Sequence, residues 1–156
     1  YNKYADYALR LATAVTGNKV MASDAVQETF IRIYLNNSNF TLGRPFKPWF
    51  YRILINECNR LLKRDGKIIV MDPLENRLEV PEENSHKFEE YEDLYLAIKD
   101  LDQLQKTPIV LKYLVGFKEA EIAQILDTNI NTIKSRLYKG RKKLKEFLEK
   151  SNERGS

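Results

Sequence analysis

Cysteine and histidine are almost missing from this chain: Cys58 and His86 are the single examples of each. One cysteine allows no internal disulfide, and the pair allows no zinc site built from Cys and His. A Ser–His or Cys–His catalytic pair would have to use one of them. Cys58 sits among helix formers and is expected to be a small apolar filler. His86 lies in an acidic, proline-bearing stretch and is expected in solvent. Paired carboxylates, a metal constellation and a glycine-rich phosphate loop have no supporting context, so no catalytic residue, metal, cofactor or small-molecule substrate is expected. No apolar run reaches the ~18 residues of a membrane span, and no secretory signal is visible. The chain opens at Tyr1 rather than Met, so a short N-terminal piece is expected to precede it. Glycine (6) and proline (5) are too few to break the long stretches between them, which predicts an almost wholly helical protein.

What is present is charge, unevenly placed. The formal net charge of +4 is modest, but its distribution is not random. Tyr4, Tyr7, Ala8, Leu11 and Val15 mark a first amphipathic helix to about Thr16, ended by Gly17-Asn18. A second helix is predicted from Ser23, as N-cap, to Leu35, with Ala25, Val26, Phe30, Ile33 and Tyr34 inward. Asp24, Gln27, Glu28, Thr29 and Arg32 would then point outward. Their mix of acid and amide suits a protein partner, or plain solvent. Asn36–Pro45 reads as a loop anchored by Phe40. A third helix, about Pro48 to Arg64, carries core aromatics together with Arg52, Arg60, Lys63 and Arg64. With Arg44, Lys47 and Lys67 these make a basic patch beside aromatics. That combination suits unstacked bases, or a solvated helix over a core.

Lys67 to Glu92 is acidic and broken by Pro73 and Pro81, and reads as a flexible linker with a short apolar patch at 68–71. The predicted fold class is all-α: two small helical domains, 1–66 and 93–150, joined by this acidic linker at 67–92, with a polar tail at 151–156. In the second domain, Leu94, Ala97, Ile98 and Leu101 mark one helix. Ile109, Val110, Leu111, Tyr113 and Leu114 mark another, with Pro108 in its first turn and Gly116 at its end. From Phe117 to Leu144 the chain reads as helix, turn and basic helix. Ile122, Ile125 and Leu126 form an apolar stripe, and small Ala120 and Ala123 allow close packing. Asp127-Thr128 breaks the pattern and Asn129 is an N-cap. Ile130, Ile133, Leu137 and Leu144 would be the buried stripe of the next helix. Its other face carries Asn131, Lys134, Ser135, Tyr138, Lys139 and Lys142: short polar groups first, cations later. A helix that reads the major groove needs this order, because its start meets base edges and its later cations meet phosphates. A basic tail helix to about Lys150 follows.

Four strings carry a resemblance. Asp24-Ala25-Val26-Gln27-Glu28-Thr29-Phe30 is similar to D-x-x-Q-E-x-F, and Trp49-Phe50-Tyr51-Arg52-Ile53-Leu54-Ile55-Asn56 to W-L-Y-R-I-A-x-N. Ile109–Tyr113 precedes Glu121-Ile122-Ala123, and Asn131-Thr132-Ile133-Lys134-Ser135-Arg136-Leu137 is similar to G-T-V-K-S-R-L. In this order, around an acidic linker, the chain resembles a bacterial RNA polymerase sigma factor of the extracytoplasmic-function (ECF, group 4) type. The resemblance implies that the first domain is sigma region 2, binding core RNA polymerase through Asp24, Gln27, Glu28, Phe30 and Arg32. It implies that Asn39, Phe40, Arg44, Lys47, Asn56, Arg60, Lys63 and Arg64 engage and melt the −10 element, capturing an unstacked base. Region 4 would read the −35 element of promoter DNA with Asn131, Thr132, Lys134, Ser135, Arg136, Tyr138 and Lys139, while Arg141 and Lys142 neutralise phosphate. A further implied partner is an anti-sigma factor, often membrane-bound. The implied location is the cytoplasm, on the nucleoid when active or at the membrane when held by that factor.

Three departures from the family pattern stand out. Arg60 stands where many members have Asp; Asp127 replaces the usual Gly of the turn; and Asn131 replaces the Gly before Thr. Two other readings stay open on the sequence: another helix-turn-helix transcriptional regulator, which leaves the first half unexplained, and a helical protein-binding adaptor, which treats the cations as solubility.

Overall fold

The computed structural model describes residues 2–35, 45–66 and 96–155, and every regular element among them is helical. The loop with Asn39, Phe40 and Arg44 lies outside the described residues, as do the acidic linker, His86 and Leu94.

The first unit is α1 (Asn2–Thr16), α2 (Lys19–Leu35) and α3 (Phe46–Arg64), each packed on the other two. Ala8, Leu11, Ala12 and Val15 of α1 are fully buried, whereas Tyr7, expected inward, is exposed. The start of α2 differs from expectation. Asn18, not Ser23, caps it: its side-chain oxygen accepts from the Met21 N–H at 3.1 Å. An amide oxygen just before the helix satisfies an orphan donor that Ser23, already inside the helix, cannot reach. The buried line is therefore Met21, Ala22, Ala25 and Thr29. Thr29, expected outward, is fully buried, and its hydroxyl donates to the Ala25 carbonyl at 2.7 Å, so nothing polar is left unmet. Tyr34, expected inward, is 81% exposed, because nine residues at ~100° each place it opposite Ala25.

α3 begins two residues before Pro48, which still falls in the first turn, where its missing N–H removes no helical bond. Phe50 is the centre of the unit. The rings of Tyr51, Phe30, Tyr4 and Phe46 lie 5.2, 5.4, 5.6 and 5.9 Å from it. Cys58 is fully buried, and burial, then the Glu57 charge, pushes its thiol up to about 12, which leaves almost no thiolate.

The second unit opens with a helical turn at 96–99. It continues through α4 (Gln103–Val110), a π-turn (Leu111–Val115), α5 (Glu119–Ile125) and α6 (Ile130–Gly155). Pro108 lies inside α4 rather than in its first turn. It lacks the N–H that would bond the Leu104 carbonyl, and just beyond it the helix widens, with the Gly116 N–H donating to the Leu111 carbonyl at 3.1 Å. Tyr113, one of the residues that mark this helix, is exposed on the wide turn. Gly116 closes it at φ +95°, a conformation that suits glycine. The expected basic tail helix is not separate: α6 runs unbroken, and it continues through most of the expected polar tail. Gly140 in its middle is buried, and a Cβ there would lie 2.8 Å from Ile109 Cγ1. Glycine costs a helix interior about 1 kcal/mol against alanine, and here it is what lets α6 approach α4.

The two units share one core. Tyr51 meets Phe117 edge-on at 5.3 Å, and the Gln103 side-chain amide donates to the Val15 carbonyl at 3.0 Å. Burial, ahead of neighbouring Tyr4 and Tyr7, pushes the Tyr51 hydroxyl up to about 12.

Candidate nucleic-acid interface

The corner between α5 and α6 is fixed by backbone bonding at each step. The Lys118 N–H donates to Glu121 Oε1 at 2.9 Å and so caps the start of α5. At its end, the Thr128 N–H donates to the Ala123 carbonyl at 2.9 Å and the Asp127 N–H to Gln124 at 3.3 Å. This is a Schellman closure, with Asp127 in the left-handed region at φ +50°. Glycine usually fills that place; Asp is among the few other residues that tolerate it. Asn129 Oδ1 then accepts from the Asn131 N–H at 2.8 Å and starts α6. Ile122, Ile125, Ile133 and Leu137 fill the corner. Ile130 and Ala120, both expected at the seam, are exposed, and Ala123 is half-buried.

With Ile133, Leu137, Gly140 and Leu144 inward, the outer face of α6 is settled. Asn131, Ser135, Tyr138 and Lys142 form one exposed line at i, i+4, i+7, i+11. Lys134 and Arg141 flank it on one side, and half-buried Thr132 with exposed Lys139 on the other. Arg136 is half-buried beside the core stripe. A helix about 10–12 Å across fits a major groove about 12 Å wide. The start of that line, Asn131 to Tyr138, matches base edges, while the flanking cations and Lys142 at its far end match the phosphate walls.

The base of this face is braced. Lys112 Nζ lies 3.1 Å from Glu119 Oε1, and Arg141 Nη1 donates to the Tyr113 hydroxyl at 3.1 Å. The Lys112 hydrogen bond, aided by the charges of Lys112, Lys134 and Arg141, holds the Glu119 carboxyl below its usual range. Its contribution to stability is therefore present above the unfolded carboxylate range and is lost as pH falls through the lowered folded value.

In the first unit the expected residues divide. Asn56, Lys63 and Arg64 are exposed along α3. Lys47 is exposed too, but its ammonium sits 5.2 Å over the Phe117 ring of the second unit. Arg60 is not free surface: its Nε lies 2.9 Å from Oε2 of the buried Glu57. On α2, Asp24 and Gln27 are exposed and Glu28 is half-exposed. Phe30 packs its ring on Phe50, and Arg32 Nε reaches Glu57 Oε1 at 2.7 Å. Three outward residues had no role in the sequence reading, Val20, Ile31 and Leu35; with Tyr34, which was expected inward, they extend the exposed side of α2. Glu57 was also missed. Its Glu-x-x-Arg spacing to Arg60 was the available signal, but the Arg32 partner comes from another helix. Among the described residues no helix is long and apolar enough to cross a membrane.

The described residues thus join a three-helix aromatic unit to a braced helix-turn-helix with a basic outer face. Comparisons with known proteins place both units in one family. The Sigma-70 region 2 family matches residues 1–68, and the Sigma-70, region 4 family matches residues 91–144. The ECF RNA polymerase sigma factor SigW of Bacillus subtilis is 30% identical over 158 residues, covering 93% of this chain and 84% of that protein. The ECF RNA polymerase sigma factor SigE of Mycolicibacterium smegmatis is 31% identical over 154 residues, covering 95% of this chain; the chain spans 60% of that protein's length. In fold, the chain is similar to the sigma factor RpoE of Bartonella quintana, solved in complex with the anti-sigma factor NepR. The TM-score is 0.76, with 23% identity, 95% of this chain and 93% of that chain covered. The chain belongs to the ECF family of RNA polymerase sigma factors.

Proposed function

We propose that this chain is an alternative sigma factor that binds core RNA polymerase through α2, melts the −10 element with α3 and reads the −35 element with α6. The exposed Asn131–Ser135–Tyr138–Lys142 line between two cationic flanks is the observation that carries this reading. Asp24, Gln27 and Glu28 face polymerase, with Ile31, Tyr34 and Leu35 beside them. Asn56, Lys63 and Arg64 follow the −10 strands. Capturing an unstacked base costs a few kcal/mol, which contacts around the opened strand must offset. The factor acts as a non-enzymatic component of polymerase, in the cytoplasm where polymerase and promoter are. Control by an anti-sigma factor is supported by the similar fold of the NepR-bound protein.

The two elements lie about 25 base-pair steps apart, or about 85 Å at ~3.4 Å per step. A compact chain of this length has a radius of gyration of only about 15 Å. The closed arrangement, with Tyr51 on Phe117, therefore cannot touch both elements at once. The units part on the promoter; the roughly 30 residues between α3 and position 96 can extend to about 100 Å. Permanganate probing of unpaired thymines tests the reading. Core polymerase with this protein should open a bubble around −10 on duplex templates. Polymerase recruited without any opening would contradict it.

A further inference from the structure

We propose that Glu57 is a positioning residue for promoter opening: it fixes Arg60 toward the −10 strands and ties it, through Arg32, to the polymerase-facing helix. The proposal rests on the sigma reading above.

Glu57 is 3% exposed, while its α3 neighbours Asn56, Asn59 and Arg60 are open to solvent. Its two carboxylate oxygens serve different helices. Oε1 takes Arg32 Nε of α2 at 2.7 Å, and Oε2 takes Arg60 Nε of α3 at 2.9 Å. Glu28, on the polymerase-facing side, adds a second contact to Arg32 at 3.4 Å. A continuous line of charge thus runs Glu28–Arg32–Glu57–Arg60, from one proposed contact face to the other.

Packing alone does not account for Glu57. An apolar residue of similar size in this seam would close α2 on α3 as well, since a buried ion pair is often no more stable than the hydrophobic alternative. What the carboxylate adds is direction. Each guanidinium has five N–H donors in a rigid fork, and the bond from Nε uses one of them. The two guanidiniums share one buried carboxylate, which holds each fork in one orientation. A phosphate approaching Arg60 meets a donor already aimed, and ordering that side chain adds less to the cost of binding.

The test reconstitutes the full chain with core polymerase and measures the rate of opening on a duplex promoter. Glu57→Gln keeps the shape but loses the charge and one acceptor. It should slow opening about tenfold while changing core-polymerase affinity less than about threefold. Arg60→Ala should slow opening to a similar degree, and the E57Q/R60A double variant should be no slower than R60A. Non-additivity of this kind marks residues acting through one another. Additive losses, or E57Q opening at the wild-type rate, would overturn the proposal. Thermal melting checks folding. If E57Q does not fold, Arg60→Lys carries the test, since it keeps the charge without the fork: a loss like that of R60A supports the proposal and wild-type opening overturns it. Wild-type protein that fails to start transcription anywhere would sink the sigma reading itself, an outcome distinct from all of these.

Discussion

Replacing Lys139 and Lys142 together with glutamate is expected to weaken binding to promoter duplex at least ~100-fold at about 0.1 M salt. Both are exposed on α6, one in the central line and one on its flank. Each phosphate contact contributes a slope of about −0.9 to log K against log salt, or about eightfold per contact at 0.1 M. Two lost contacts account for roughly 60-fold, and the new negative charges add repulsion. The slope should flatten by about 1.8. Promoter ranking should hardly change, because these cations report phosphate and not sequence. Neither residue packs in the core, so the melting temperature should stay close to wild type. Duplex binding that survives the double reversal would take α6 off the DNA and contradict this account. Asn131→Ala is the contrasting case: it should change which −35 base is preferred, by about 1–3 kcal/mol at one position, with little effect on the salt slope.

The second large effect is on stability. Phe50→Ala is expected to cost about 3–5 kcal/mol, a large fraction of a typical 5–15 kcal/mol. Phe50 is fully buried, with four aromatic rings within 5.9 Å. Those rings come from α1, α2 and α3, so no single side chain can collapse into the space without pulling a helix with it. The melting temperature should fall by roughly 6–20 °C, followed by circular dichroism. The loss should not stop at the first unit, because Tyr51 bridges Phe50 to Phe117. A loss under about 1 kcal/mol would mean that the aromatic cluster does not hold the three helices together.

Helix identity and the helix-turn-helix were readable because they rest on local spacing. Ile122/Ile125 and Ile133/Leu137 repeat at helical intervals, and Asn129 sits where a cap must be. Several errors fell where a nonlocal or competing local interaction decided. Asn18 outcompeted Ser23 for the α2 cap. Thr29 and Tyr34 were assigned to the wrong faces although their spacing from buried Ala25, four and nine residues, already places one in the core and the other in solvent. Pro108 was placed in a first turn because proline is common there; instead it sits inside α4, ahead of a π-turn. Exposed positions on α6 could be assigned from the periodicity of one helix. Arg32 could not, since the carboxylate that holds it lies on another helix, and Arg60 had only its Glu-x-x-Arg spacing to point to that carboxylate. The contact of Lys47 with Phe117 was equally out of reach: it depends on how two separately readable units meet.

The most direct measurement is transcription by purified core polymerase from a randomised promoter library, with and without this protein, followed by sequencing of the start sites. New starts that share two upstream elements about 25 base pairs apart, with the upstream preference altered by Asn131→Ala, are the predicted result. Start sites unchanged by the protein, even though it binds duplex DNA through α6, would contradict the account and leave an ordinary helix-turn-helix regulator in its place.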